Sequence, residues 1–504
     1  MSGKNALASW LAPPLFFAVA ALVLCAFAWD GSPLNHDEIT YLTMARHMVE
    51  SGNWLDLDFH GAVVHQRPPL AIWLLAAIGR LGDFSLLFTR LPSIAMAWLT
   101  LLGLYLLMRE LGAGASSTLI APALLLSSAL FYFNARRPMT DMTFLAGFSF
   151  FLYANVLAFR RPWAWLGAGL AAGWMLMSKG AITALPLTAV GLDLLLSPRR
   201  RELLSHRVWM GLGTALALAA PWHVAQSLRH GEAFWSEYLG FNVLRRASTS
   251  LFAEPDPLFY LRELADNELG TLLLAGVGLV GLVAGLWKDR RSILTSAVCP
   301  ERFLLLAIAC TAVPLQLAST RISHYFLPVL PGLFAAVTWA IGRWGDARRG
   351  RLVGVAGFGL AAALFLGNNL PHLANPDYSP DQARFARLVA ADLAGSGNSH
   401  VAIVSVNHYD LAFFYFLDRS PEMLTDSERF FTIVDTEPLL HRSRAVRLIP
   451  RNALLSDLAA GPFYALTEPA HVPLFCGEDG ARCGRTGPFR LIPGDYLALV
   501  TNRP

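Results

Sequence analysis

The chain has 504 residues, 55% of them hydrophobic and only 15% charged, with a formal net charge of +4. Soluble domains carry closer to ~25% charged residues, so an ordinary soluble globular protein is excluded. The small net charge gives no reason to expect a nucleic-acid partner.

In chain order, Leu11–Trp29 is the first long apolar run. It is too long for a secretory leader, and Trp29-Asp30-Gly31-Ser32-Pro33 reads as a turn rather than a cleavage site. An uncleaved membrane helix is expected. The loop that follows contains Asn35-His36-Asp37-Glu38-Ile39-Thr40-Tyr41 and then Gln66-Arg67-Pro68-Pro69-Leu70. Ile39, Leu42, Ala45 and Met48 or Val49 recur at helical spacing, with Asp37, Glu38, Arg46 and His47 elsewhere. That pattern predicts a short amphipathic helix lying in the membrane interface. Asn35 is a good N-cap, and Asp37 and Glu38 fall in the first turn, where carboxylates complement the helix dipole. Glu38 stands at capping-box distance from Asn35, so capping and chemistry are both open for it. Asp37 is favoured as a functional acid because of the company on its side of the membrane.

Further runs are Leu91–Met108, Ser116–Phe133, Met142–Phe159, Trp163–Met177, Ile182–Leu196, Val208–Val224, Leu269–Trp287, Phe303–Leu317, Tyr325–Ile341 and Leu352–Leu366. Together they predict about eleven crossings, and up to about thirteen if Pro69–Leu81 dips into the bilayer. Arg160-Arg161, Arg199–Arg201 with Arg207, Lys288 with Arg290 and Arg291, and Arg343 with Arg348, Arg349 and Arg351 occupy every second loop. By the positive-inside rule those loops and the N-terminus face the cytoplasm. Arg136 and Arg137 run against the rule.

The opposite face then receives the long loops and the unusual polar residues. Asp141 opens a membrane helix in Arg137-Pro138-Met139-Thr140-Asp141, and Lys179 interrupts two apolar runs in Met177-Ser178-Lys179-Gly180. Arg245 and Arg246 close an aromatic segment that begins at Phe234, and Arg321 precedes His324-Tyr325. Ionisable groups at membrane depth are costly and mark a pathway or site. Cations at that depth suit a phosphate, by arginine forks or a lysine point charge. Each single arginine has the competing explanation of reaching to lipid headgroups. Asp193, near the inner arginines, is expected to pair or reach outward without a role in chemistry.

After about Asn369 the long runs give way to short alternating segments. Val401–Val406, Phe430–Val434, Phe463–Leu466 and Tyr496–Val500 are expected strands, with helices over Pro380–Leu393 and Tyr409–Leu417. The expected division is a membrane domain over residues 1–370 and a small α/β domain over 371–504. Loops 30–90 and 227–268 would build the site. Cys476 and Cys483 flank a polar, glycine-rich stretch, which suits a disulfide in an oxidising compartment, two free thiols being the alternative. Cys25, Cys299 and Cys310 fit as packing residues.

With these residues in view, the chain resembles the polyprenyl-phosphate-dependent glycosyltransferases of the GT-C class. The likeness is to the bacterial aminoarabinose transferases of lipid A modification and, at greater distance, to protein O-mannosyltransferases. It rests on Asp37-Glu38 with Tyr41, Arg67-Pro68-Pro69, Thr140-Asp141-Met142, Ser178-Lys179-Gly180, Pro221-Trp222, and Arg321 with His324-Tyr325. Six weak motifs in the right order make a specific signal. The chain departs from the family pattern at two places. Gln66-Arg67 stands where Glu-Lys is common, and Phe241-Asn242 precedes Arg245 where a Glu-His pair is usual. Two candidate metal ligands are thereby missing.

The resemblance implies an all-α polytopic domain with an extracytoplasmic α/β domain, in a bacterial inner membrane. It implies inverting transfer of one sugar from a polyprenyl-phosphate carrier to lipid A, lipopolysaccharide or another envelope acceptor. Asp37, Asp141 and Glu38 would be the catalytic acids, and Arg67, Lys179, Arg245, Arg321 and Tyr325 would hold the donor phosphate. No cofactor is required, with a divalent cation left as an open alternative. A lipid-linked glycan flippase is a competing class, but it would place its polar residues near the midplane in related halves. A glycan polymerase or oligosaccharide ligase would differ chiefly in donor size.

Overall fold

The computed structural model describes residues 3–31, 37–114, 117–250, 256–343, 349–370, 373, 380–396, 401–407, 410–417, 419, 423–425, 446–448, 455–456, 458, 460–483 and 487–503. Asn35, His36, Arg348, Tyr409 and the expected strand Phe430–Val434 lie outside them. The chain divides into two compact units: Met1–Trp29 with His65–Ala374, and Asp30–Val64 with Asn375–Pro504. The first polar loop is therefore split, its larger part grouping with the C-terminal residues.

The first unit is helical. Among its described residues, six helical stretches are long and apolar enough to cross a bilayer: Leu86–Glu110, Ala164–Leu196, His206–His230, Leu269–Lys288, Pro300–Leu317 and Ser323–Gly342. Shorter apolar helices cover Leu11–Cys25, Leu70–Gly82 and Gly354–Asn369. This is a multi-pass membrane protein. The Ala164–Leu196 stretch is broken at Gly180, whose φ of 62° and ψ of −126° no helix contains. Ser116–Phe133 is interrupted as well. Ser128 turns to extended backbone, and its hydroxyl accepts from Phe131 N–H to start a new helix.

Four helices position the site: α1 (Leu86–Glu110), α2 (Thr140–Leu157), α3 (Ala164–Lys179) and α4 (His206–His230). α2 lies between α1 and α3, and α3 packs on α4. Nearly every residue of α2 is buried, so its apolar sequence faces protein on all sides. The α3–α4 contact needs small residues. A Cβ on Gly169 would stand 2.1 Å from the Gly211 carbonyl oxygen, so only glycine lets these backbones meet.

Two buried cations in this unit have structural partners. Arg136 is 2% exposed and donates to the Ala26 and Leu373 carbonyls and to the Tyr132 hydroxyl. Its place against the positive-inside pattern follows from that: it braces the fold rather than setting topology. Asp193 pairs with Arg302 at 2.6 Å, a partner far in sequence from the neighbouring Arg199–Arg201 cluster.

The second unit is an α/β fold. Six strands, β3 (Ala402–Val406), β4 (Met423–Thr425), β5 (Val446–Leu448), β6 (Phe463–Thr467), β7 (Arg490–Pro493) and β8 (Ala498–Thr501), run in the order β5-β4-β3-β6-β8-β7. The β5, β4, β3 and β6 pairings are parallel, while β8 is antiparallel to β6 and β7. Alternation gives the sheet two apolar faces. Ile403, Tyr464, Leu466 and Leu499 pack with Phe385 and Phe413 on one side, and Val404, Phe463, Ala465 and Val500 with Phe475 on the other. Cys476 and Cys483 are joined in a disulfide, with Cα atoms 4.8 Å apart.

The helix of the first loop, Asp37–Ser51, belongs to this unit and packs on helix Ala412–Phe416. Ile39, Leu42, Ala45 and Met48 are buried as the pattern requires, but so are Tyr41 and Met44. The expectation that this helix lies on lipid is corrected: its apolar stripe is covered by protein. A two-stranded ribbon follows, β1 (Asp58–Phe59) and β2 (Ala62–Val63), turning through His60 and Gly61. Both turn residues have positive φ, 51° and 84°, which is the turn that matches strand twist.

Candidate active site

In the first unit the site is built at one end of the α2–α3 pair. These helices are antiparallel neighbours joined by the short segment 158–163, so the start of α2 meets the end of α3. Asp141 sits in the first turn of α2 and Lys179 in the last turn of α3, each complementing its helix dipole. The Lys179 ammonium donates to Asp141 Oδ1 at 2.6 Å, with the side chains 14% and 3% exposed. Removing either partner would leave the other buried without its counter-charge.

Tyr325 extends the arrangement. Lys179 Nζ lies 5.3 Å from the centre of its ring, within cation–π reach. The Tyr325 hydroxyl accepts from Arg246 Nη1 at 2.6 Å. Arg246 is held in turn by backbone: Thr320 N–H donates to the Arg246 carbonyl and Ser319 N–H to that of Ala247. One acid, two cations and a phenol thus form a continuous chain of contacts.

Arg246 rather than Arg245 fills this position. Arg245 is exposed and lies over the Phe241 ring at 5.6 Å. Successive residues on a helical backbone point about 100° apart, so only one of the two can face Tyr325. Arg321 donates to the Gln316 and Asp256 carbonyls at 3.0 and 2.6 Å, tying the end of helix Pro300–Leu317 to the segment at Asp256. Arg67 is half-buried just ahead of Pro68-Pro69 and helix Leu70–Gly79. Asp37 and Glu38 open the Asp37–Ser51 helix of the second unit, Asp37 half-buried and Glu38 3% exposed.

Sequence reasoning missed the device that sets Arg246. Ser236–Arg245 is a π-helix, a geometry concentrated at functional sites. From it, Asn242 Nδ2 donates to the Gln66 carbonyl at 2.6 Å. The bond joins the two segments in which this chain departs from the family pattern. An amide nitrogen and a donor-occupied carbonyl are poor metal ligands. Among the described residues no group of three or more His, Cys, Asp or Glu side chains converges.

Tyr238 of the same π-helix closes on the other flank. His223 Nδ1 contacts the Ala219 carbonyl at 2.8 Å, so that nitrogen carries the hydrogen, and Nε2 accepts from the Tyr238 hydroxyl at 2.9 Å. A Cβ on Gly180 would lie 2.1 Å from the Tyr238 oxygen. Gly180 is therefore needed both for its positive φ and for this approach, directly after Lys179. The only sequence signal for His223 was its position after Pro221-Trp222.

Known proteins share sequence and fold with this chain. Residues 66–224 match the dolichyl-phosphate-mannose-protein mannosyltransferase family model. The chain is 28% identical over 393 residues to the undecaprenyl phosphate-alpha-4-amino-4-deoxy-L-arabinose arabinosyl transferase of Pectobacterium carotovorum, covering 72% of this chain and 66% of that one. A Pseudomonas fluorescens protein of the same description is 26% identical, covering 65% of this chain and 56% of its own length. The chain thus matches less than two thirds of the length of these curated relatives. Its fold is that of ArnT from Cupriavidus metallidurans, solved with undecaprenyl phosphate, at a TM-score of 0.72, 17% identity and 98% coverage of both chains. The Archaeoglobus fulgidus oligosaccharyltransferase aligns at a TM-score of 0.51 and 14% identity, over 92% of this chain and 70% of its own. The resemblance to the GT-C glycosyltransferases read from the motifs is borne out.

Proposed function

We propose that this protein moves a single sugar from a polyprenyl-phosphate carrier to a glycolipid or glycan acceptor of the cell envelope. The observation that carries the reading is the Asp141–Lys179 pair joined to Tyr325 and Arg246. The relatives named for undecaprenyl phosphate-linked aminoarabinose transfer supply the donor class.

In the reaction the acceptor oxygen attacks the anomeric carbon and the bond from that carbon to the phosphate oxygen breaks, inverting the centre. Negative charge grows on the leaving phosphate. Lys179, Arg246 and Arg67 meet it, and Tyr325 orients the Arg246 guanidinium toward it. Asp141 holds the Lys179 ammonium in place. Asp37 orients the acceptor and takes its proton, or simply positions an acceptor phosphate that needs no base. The inner arginine clusters support a cytoplasmic N-terminus in a bacterial inner membrane, with chemistry and the α/β unit on the periplasmic face.

The test uses purified protein in lipid nanodiscs with a panel of undecaprenyl-phosphate monosaccharides, aminoarabinose among them. Release of undecaprenyl phosphate and a glycosylated envelope lipid are expected, with a loss of ~100- to 10,000-fold in Asp37→Asn. No turnover of any monosaccharide donor, or full activity of Asp37→Asn, would overturn the proposal or that residue's part in it, respectively.

A further inference from the structure

The second unit contains a cavity of about 200 Å³ lined by the Asp37–Ser51 helix, the β1–β2 turn and helix Ala412–Phe416 with the residues flanking it. This is below the ~300 Å³ at which pockets begin to enclose drug-sized ligands. It is large enough for one sugar-sized headgroup.

Its polar lining is mixed in a specific way. Arg46 comes from one side and Arg419 from the other, against one carboxylate, Glu50. Arg46 is steered by stacking its guanidinium 5.1 Å from the centre of the Tyr415 ring. His47 lies 3.4 Å from Asp58. Burial pushes the His60 imidazole down to about 4, with Asp58 opposing and His47 adding to the shift. His60 is therefore neutral at physiological pH and offers a hydrogen bond rather than a charge. The tight turn with Gly61 fixes it in the wall, Asp58 Oδ1 accepting from Gly61 N–H at 2.9 Å. Apart from Thr43, the rest of the floor is aromatic and aliphatic.

We propose that this cavity binds the phosphate-bearing sugar headgroup of the acceptor. Two guanidinium forks match a phosphate. Glu50 repels a bare anion but accepts from a sugar hydroxyl, and the aromatic floor takes the C–H face of a sugar ring. The acceptor role rests on the transferase reading above; the binding itself does not.

The experiment titrates the full chain in nanodiscs with glucose 1-phosphate, inorganic phosphate and glucose. Glucose 1-phosphate is expected to bind, inorganic phosphate about tenfold more weakly, and glucose not measurably. Arg419→Ala and Arg46→Ala should each weaken glucose 1-phosphate about tenfold. Arg419 is exposed, so its truncation leaves folding intact, which a thermal melt verifies. Unchanged affinity in both variants, or equal binding of inorganic phosphate, overturns the site. In the transfer assay the same variants should raise the KM for acceptor and keep kcat, which separates an acceptor site from one for a free sugar phosphate. Binding that survives while no polyprenyl donor is turned over would sink the transferase reading and leave the sugar-phosphate site standing. Transfer with an unaltered acceptor KM in both variants overturns the acceptor role.

Discussion

Arg246 reaches across from the end of the π-helix to the Tyr325 hydroxyl at 2.6 Å, a contact between residues 79 apart in sequence. It joins the segment after α4 to the segment before helix Leu330–Arg343, and it chooses between two adjacent arginines.

That choice predicts unequal variants. Arg246→Ala is expected to lower transfer by ~100-fold, the loss typical of one donor to developing negative charge. Arg245→Ala should stay within a few-fold of wild type, since Arg245 is exposed. Initial rates with a polyprenyl-phosphate sugar decide it, and equal losses in both variants would remove the assignment.

The Asp141–Lys179 pair predicts a thermodynamic signature. Asp141→Asn or Lys179→Met alone strands a buried charge and should cost about 3–5 kcal/mol of stability. The double variant should recover much of that loss, yet remain inactive. Thermal unfolding in detergent gives the first quantity and a transfer assay the second. A double variant less stable than either single one would contradict the pairing.

Asp381, at the start of helix Pro380–Ser396, makes the second unit acid-sensitive. Burial pushes its carboxyl up, but N–H groups of Tyr496, Asp495 and Leu497 at 2.6–3.0 Å, with Arg384, hold it below the ordinary 3.8 overall. A depressed carboxylate contributes stability above its unfolded value, and that stability is lost as pH falls through the folded value. Wild type should lose stability below about pH 4 more steeply than Asp381→Asn. Asp381→Ala should cost about 2 kcal/mol at neutral pH, since three backbone donors lose their acceptor. Denaturant melts across pH 3–7, read on the β-sheet signal, check both.

The Asn242–Gln66 contact puts amide groups rather than ionisable ligands at this place, which predicts transfer without a metal. Initial rates should be unchanged after dialysis against EDTA. A fall that added zinc or magnesium restores would put a metal back into the reaction.

Much of the first unit was legible because long apolar runs need no knowledge of partners. Asp141 and Lys179 also stood out, since ionisable residues at the ends of apolar runs are conspicuous one at a time. Their pairing follows from the short 158–163 connection. Arg246 was not separable from Arg245, because a π-helix shifts the phase that ordinary helical spacing assumes. Nor does sequence reveal that Asp37–Ser51 packs on Ala412–Phe416. An amphipathic stripe has the same spacing whether lipid or protein covers it. β4, β5 and β7 have only three or four residues each, too few for a strand period to register.

The grouping of Asp30–Val64 with Asn375–Pro504 has a consequence for biosynthesis. About 360 residues separate Ser51 from Ala412, and at ~5–20 residues per second the ribosome needs roughly 20–70 s to make them. For that interval the Asp37–Ser51 helix has been synthesised while the Ala412–Phe416 helix it packs on has not. The nascent chain must shelter it, on the bilayer surface or in a chaperone, and then surrender it to a domain completed last. Correct assembly of this loop is therefore a late event, and a ribosome stalled before Ala412 would leave the Asp37–Ser51 helix without the helix it packs on.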